Sequence, residues 1–110
     1  MEIRARDINR ELLLEFSGEM DHHGARNALK EVEMAIDAAL PQTLILDFSG
    51  VTFMDSSGLG VVLGRYKLMK ERGGSVRIQG ASRPVERILK MAGVYALLEQ
   101  QDAERGKGHV

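Results

Sequence analysis

The chain has 110 residues, a formal net charge of −1 and no cysteine. At about 100–200 residues per domain, this length fits one domain whose hydrophobic core needs no disulfide. The near-neutral charge gives no electrostatic footprint for nucleic acid or an anionic membrane, and the absence of cysteine excludes thiol nucleophiles and cysteine-based zinc sites. Glycine is the unusual component, at 12 of 110 residues, against an average of about 7%.

Four strands are predicted from short apolar or alternating runs bounded by turn residues. They cover residues 2–6, 11–17, 43–49 and 75–79. The first is expected to be a weak edge strand and the third a buried one. Gly18 and Gly50 lie between patterned stretches and are expected to end strands, because glycine adopts positive φ without strain.

Three helices alternate with the later strands. Asp21 predicts the N-cap of the first helix, which runs through residue 40; the second starts near Ser56, and the third has Ser82 as its N-cap. The resulting order β-β-α-β-α-β-α predicts an α/β sandwich. Its second to fourth strands are expected to be parallel and joined by right-handed crossovers.

The two ends of the chain show weaker hydropathy patterns than the middle. Residues 94–98 predict either a strand or a helical turn, and the polar residues 100–110 predict a frayed tail or a short terminal helix. Residues 1–7 lack the apolar core of a signal peptide, and no apolar run approaches the ~20 residues of a membrane span. The expected location is therefore the cytoplasm.

The segment Phe53–Gly64 joins a buried strand to a helix and carries the residues of chemical interest. Asp55, Ser56 and Ser57 are favoured N-cap residues, and a helix N-terminus favours an anion through its dipole and its free N–H groups. A well-capped helix is the simplest interpretation. A small nucleotide-binding domain using Gly58–Gly64 is an alternative, although the G-x-G-x-x-x-G spacing departs from the dinucleotide fingerprint.

Gly60 and Gly64 lie inside the second helix, where each costs about 1 kcal/mol relative to alanine. They leave a bare strip that lets another backbone approach, and Val61 and Leu68 are expected to face outward beside it. Exposed apolar residues next to a capped helix start suggest a partner surface. A phosphoryl group on Ser56 would add about −1.5 to −2 charge, which the helix start tolerates and a partner packed on that corner would not.

Two motifs resemble the anti-sigma factor antagonists of the STAS domain family, over about residues 2–99. The first motif is Gly18–His23, and the second is Phe53–Gly60 followed by Leu63–Lys67. The Asp-His-His and Leu-Gly-Arg-Tyr-Lys pieces favour the sporulation branch, with the general stress-response branch as the alternative. The resemblance implies one STAS-type α/β domain over residues 1–110, with a four- to five-stranded mixed sheet and about four helices.

The resemblance further implies a non-enzymatic switch with no cofactor and no metal of its own, and without a nucleic acid or membrane partner. The partner would be an anti-sigma factor that is also a serine kinase, of the sporulation protein AB type, and binding would release the sporulation sigma factor F. The kinase, with its own ATP and Mg²⁺, would phosphorylate Ser56 and end binding; a serine phosphatase would reverse this. The partner-binding candidates carried over from the family are Glu19, Asp21, His22, Asp55, Ser57, Gly58 and Leu59.

The chain departs from the family at its C-terminal end. Members usually finish with an amphipathic helix packed on the domain, whereas residues 100–105 are expected to form barely one turn before Gly106. The terminal helix is therefore expected to be short or absent. At the other site of interest, hydroxyl chemistry does not separate Ser56 from Ser57, and only the resemblance selects Ser56.

Overall fold

The computed structural model describes residues 1–107, which form four strands and four helices. The strands are β1 (Glu2–Ile8), β2 (Glu11–Met20), β3 (Thr43–Met54) and β4 (Ser75–Gln79). The helices are α1 (His22–Ala39), α2 (Ser56–Glu71), α3 (Arg83–Met91) and α4 (Val94–Lys107). The last part of the predicted frayed tail, residues 108–110, lies outside the described residues.

The sheet has the order β1-β2-β3-β4. β1 pairs antiparallel with β2, whereas β2, β3 and β4 run parallel, as the alternation of strands and helices predicts. A mixed four-stranded sheet with four helices confirms the expected α/β class. The three parallel strands point their carboxyl ends to one edge of the sheet, which is where open α/β sheets build their sites.

One face of the sheet carries the core. Leu12 and Leu14 of β2 are buried and lie in register with the buried Leu44 and Leu46 of β3. α1 packs on β1 and β2, α2 packs on β3 and β4, and the two helices contact each other. Because right-handed crossovers put both helices on the same face, every second side chain in the first halves of β2 and β3 is buried beneath them.

β2 and β3 are longer than the sequence predicts. The predicted ends are residues 17 and 49, but β2 continues through Gly18 to its end, and β3 continues through Gly50. A Cβ on Gly50 would lie 2.7 Å from the Cβ of Ser17, so glycine is what permits this strand pairing. Register shifts in β2 beside these residues absorb the irregularity.

The C-terminal segment forms a full helix, so the expectation of barely one turn is wrong. Residues 94–98 begin α4, which continues to Lys107. Gln101 is buried; its side chain accepts a hydrogen bond from the N–H of Val76 at 2.8 Å and donates one to the carbonyl of Val76 at 2.9 Å. The amide thus occupies the outer edge of β4 as a neighbouring strand would, and the helix covers that edge.

Candidate functional site

The start of α1 and the start of α2 lie side by side at the carboxyl edge of the sheet. Met20 and Met54, the last residues of β2 and β3, are register partners, and neighbouring strands are about 4.8 Å apart. The backbone N–H of Asp55 lies 3.5 Å from the carbonyl oxygen of Met20. Strand pairing therefore joins two motifs that are distant in the sequence.

An aspartate caps each of these helices. Asp21 Oδ1 accepts a hydrogen bond from the N–H of Gly24, and Asp55 Oδ1 accepts one from the N–H of Ser57, both at 2.8 Å. The predicted N-cap at Asp21 is confirmed. Two carboxylates and the positive ends of two helix dipoles thus share one corner of the molecule, which we call the helix-start corner.

The two candidate serines differ in exposure. Ser56 is the first residue of α2 and is exposed. Ser57 is half-buried and lines the groove between α1 and α2. A large partner approaching the helix-start corner therefore reaches the Ser56 hydroxyl first.

The remaining candidates surround Ser56 with mixed exposure. Glu19 and His22 are exposed, Leu59 is half-buried, and Gly58 is buried. A Cβ on Gly58 would lie 2.8 Å from Cγ of Met54. Glycine at this position therefore lets α2 seat on the strand ends, a packing role that accounts for Gly58 without a phosphate ligand.

Phe53 is an exposed aromatic residue at this corner that the sequence-based candidates omit. It lies next to the end of β3, in register with Glu19 of β2, and is 49% exposed. Ending β3 at residue 49 hid this position, because Phe53 then fell in a loop with no assigned neighbour. The sequence offers no clear signal for it, because burial does not alternate toward the end of β3: Thr52 and Phe53 are both exposed between the buried Val51 and Met54.

The outer flank of α2 differs from the prediction. Val61 is only 5% exposed and Leu68 is partly buried, so the expectation that both face outward is wrong. The reason is that α2 packs against the sheet on one side and against α1 on another. Gly60 and Gly64 face open space instead: no described atom lies within 4 Å of a Cβ built on either.

A groove of about 350 Å³ runs between the two helices beside Gly60. Its lining residues are His22, Ala25, Arg26, Leu29, Ser57, Gly60, Val61 and Arg65. The Arg65 side chain is 12% exposed, and its Nη1 lies 3.8 Å from Glu33 Oε1. Burial lowers the pKa of the Arg65 guanidinium, while the negative charge of Glu33 raises it.

Sequence reasoning missed Arg26 and Arg65 as site residues. His22 and Arg26 are one helical turn apart, and Arg26 Nη2 lies 3.2 Å from His22 Nε2. The i, i+4 spacing of these two residues on α1 predicts that their side chains are neighbours, so the sequence did carry a signal for Arg26. No signal within one helix could place Arg65 of α2 opposite them, because this neighbourhood depends on how the helices pack.

Two kinds of feature are absent from the part of the chain that the structure describes. No helix among residues 1–107 is long and apolar enough to cross a membrane. Those residues also contain no group of three histidine or carboxylate side chains placed to hold a metal ion.

Comparison with known proteins gives a consistent set of neighbours. An anti-sigma F factor antagonist from Paenibacillus polymyxa is 38% identical over 93 residues, which cover 84% of this chain and 80% of that protein. The structure of the anti-sigma factor antagonist SpoIIAA in its unphosphorylated form matches with a TM-score of 0.76 at 26% identity, over 99% of each chain. The phosphorylated form of SpoIIAA, a Bacillus cell fate determinant, matches with a TM-score of 0.70 at 25% identity, over 94% of this chain and 98% of that one.

The family assignment follows from the extent of these matches. The model of the STAS domain family matches residues 2–105, which include all four strands and most of α4. The parallel ends of β2 and β3, each followed by a capped helix, give that match a structural basis. The chain belongs to the STAS domain family.

Proposed function

We propose that the chain is an anti-sigma factor antagonist whose binding to an anti-sigma factor kinase is switched by phosphorylation of Ser56. In this proposal, the unphosphorylated form binds the kinase and releases the sporulation sigma factor F. The observation that carries the proposal is the exposure of Ser56 at the first position of α2, where the starts of α1 and α2 lie side by side and each helix is capped by an aspartate. The relative from Paenibacillus polymyxa supports the class of partner.

The proposed contact surface is the helix-start corner. Its members are Glu19, Asp21, His22, Asp55, Ser57, Gly58 and Leu59, with Gly58 packed beneath the others. We add Phe53, because an exposed aromatic ring beside polar groups is the type of residue that anchors protein interfaces. Carboxylates, an imidazole and one aromatic ring around an accessible hydroxyl suit a specific, polar interface.

The switch follows from the charge that phosphorylation adds. A phosphoserine carries about −1.5 to −2 charge at pH 7. Within the chain, the first N–H groups of α2 and its dipole tolerate this anion, so the fold has no reason to change. The match of the chain to both forms of SpoIIAA supports a switch that keeps the fold.

The same phosphate is unfavourable in the interface with the partner. An interface formed around a neutral Ser56 hydroxyl would have to enclose a new anion beside the carboxylates of Asp21 and Asp55. Burying an unpaired charge in an interface costs far more than exposing it to water. Phosphorylation would therefore weaken binding through repulsion, desolvation and steric conflict at one position.

The proposal assigns no catalytic residue to this chain. ATP and Mg²⁺ belong to the kinase, and a serine phosphatase removes the phosphoryl group. Because the kinase depends on cellular ATP, the switch operates in the cytoplasm. The chain contributes an exposed hydroxyl and a binding surface.

The test is phosphorylation by the cognate anti-sigma factor kinase with ATP, followed by mass spectrometric site mapping. We expect one phosphoryl group, on Ser56, in the unsubstituted chain and in Ser57→Ala, and none in Ser56→Ala. Ser57→Ala is the matched control, because it removes the adjacent hydroxyl from the same helix turn. Phosphate on any other residue of the unsubstituted chain would contradict the proposal.

Two further titrations test the alternatives, which are the general stress-response branch and a nucleotide-binding domain. The proposal expects tighter binding to a sporulation-type kinase than to a kinase of the general stress response. It also expects no heat when nucleotide is titrated into the isolated chain. Heat in that experiment would favour the nucleotide-binding alternative at Gly58–Gly64.

A further inference from the structure

The crevice between α1 and α2 changes its charge along its length. Toward the ends of the helices, arginines of α2 meet carboxylates of α1: Arg65 Nη1 lies 3.8 Å from Glu33 Oε1, and Arg72 Nη2 lies 3.5 Å from Asp37 Oδ1. Toward the helix starts lies the groove described above, which no carboxylate lines. Arg26 on its rim has no ion-pair partner among the described side chains.

Arg65 lines the groove at the end nearest Glu33 and carries a largely buried positive charge. Its Nε and Nη1 are sealed from solvent and have no hydrogen-bond partner among the described residues. The ion pair with Glu33 is too long to be a hydrogen bond. Because these two donors are sealed, a group that enters the groove does not reach them. Arg65 contributes its positive charge at this end, and the exposed guanidinium of Arg26 is the one open to a carboxylate.

The shape of the groove admits a peptide segment. Its floor is apolar, formed by Ala25, Leu29 and Val61. On the α2 side the wall is Gly60, where a Cβ would meet no described atom within 4 Å, so another backbone can approach closely. Ser57 lines the groove and also belongs to the helix-start corner, so the two surfaces are continuous.

We propose that the groove is a second docking element, which takes an acidic segment of the anti-sigma factor kinase. An apolar side chain of that segment packs on the floor, and a carboxylate beside it binds the exposed guanidinium of Arg26, with the positive charge of the half-buried Arg65 nearby. Charge complementarity selects this occupant, since the rim is cationic and its apolar floor has room for one or two side chains. The inference rests on the proposed function, because it names a contact of the same partner.

The experiment measures the affinity of the cognate kinase for two groove variants, each with a matched control. Arg26→Glu reverses an exposed rim charge, and Arg87→Glu makes the same change at an exposed position of α3. Gly60→Leu fills the groove, and Gly64→Leu places the same side chain one turn further along α2, outside the groove. Circular dichroism and thermal unfolding establish that all four variants fold.

We expect Arg26→Glu and Gly60→Leu each to weaken binding by about tenfold or more, with both controls within about twofold of the unsubstituted chain. Arg26→Lys should retain most of the affinity, because it keeps the charge. The inference is overturned if either groove variant binds within twofold of the unsubstituted chain, or if the controls lose as much as the groove variants.

A Ser56→Asp variant in the same assay separates this inference from the proposed function. Groove variants that bind normally while Ser56→Asp does not would overturn the groove alone. An unsubstituted chain that does not bind the kinase would overturn the proposed function and, with it, the groove.

Discussion

Glycine serves two opposite purposes within the first turns of α2. Gly58 is buried, and a Cβ there would lie 2.8 Å from Cγ of Met54 and 3.1 Å from Cγ of Met20. Gly60, two residues on, faces open space. The first glycine is required by packing inside the chain, whereas the second weakens the helix and leaves room outside it.

Alanine at each position should therefore have opposite effects on stability. Gly60→Ala should raise the free energy of unfolding by about 1 kcal/mol, because alanine favours the helix and meets nothing. Gly58→Ala should lower it by about 1–2 kcal/mol, because the new methyl group displaces Met54 or Met20 in a packed core. Urea denaturation measures both values. Shifts of the two variants in the same direction would contradict these different roles.

At the scale of the element, α4 shows how a helix can complete a sheet. Gln101 reaches the edge of β4 and satisfies both backbone groups of Val76. Without it, the N–H and the carbonyl of a buried residue on an edge strand would be left without partners. The helix is therefore part of the core structure, held by Gln101 and by the buried Val94 and partly buried Leu98.

Gln101→Leu should lower the free energy of unfolding by about 1–3 kcal/mol, because it leaves a buried donor and a buried acceptor unsatisfied. The control is Gln100→Leu, since Gln100 is the exposed neighbour on the same helix. Its substitution should change stability by less than about 0.5 kcal/mol. Equal losses in the two variants would mean that the hydrogen bonds to Val76 do not anchor α4.

What the sequence predicts well at this scale is local chemistry. The sequence predicts N-caps at Asp21 and Ser82, and both residues cap their helices, because capping involves residues only two or three positions apart. The prediction that Gly50 ends a strand is wrong because the residue that requires glycine there, Ser17, lies on the neighbouring strand. The prediction that Val61 is exposed is wrong because helical periodicity identifies one packed face, whereas α2 packs against both the sheet and α1.

In the candidate site too, local features are predictable from the sequence, whereas contacts between distant segments are not. The Asp55-Ser56-Ser57 start of α2 is readable from residue types alone, and the resemblance added the segment before α1. Strand register places Met20 beside Met54. It therefore brings the segment before α1 next to the start of α2. The position of Arg65 across from Arg26 depends on helix packing, so neither could follow from periodicity.

At the scale of the whole molecule, the proposed switch involves one corner of a single α/β domain. The helix-start corner rests on the ends of two central parallel strands, and these are held by the buried residues of the core. A phosphoryl group at the start of α2 adds charge without removing any of these contacts. In the proposed switch, regulation therefore acts on the partner's affinity, and the fold is expected to stay the same.

Phosphorylation of Ser56 should therefore change amide chemical shifts only locally. We expect the largest changes at residues 55–62 and at the neighbouring start of α1, with β4, α3 and α4 unaffected. A ¹H–¹⁵N correlation spectrum of the chain before and after treatment with the kinase measures this directly. Large shifts in α3 or α4 would indicate a conformational switch instead.

The central claim is that one phosphoryl group on Ser56 decides whether the kinase binds. The most direct measurement is the dissociation constant of the cognate kinase for the unphosphorylated chain and for the chain phosphorylated on Ser56, determined by calorimetry under the same conditions. The account predicts a loss of about hundredfold or more in affinity, as expected for an unpaired charge enclosed in an interface. Equal dissociation constants for the two forms would contradict it.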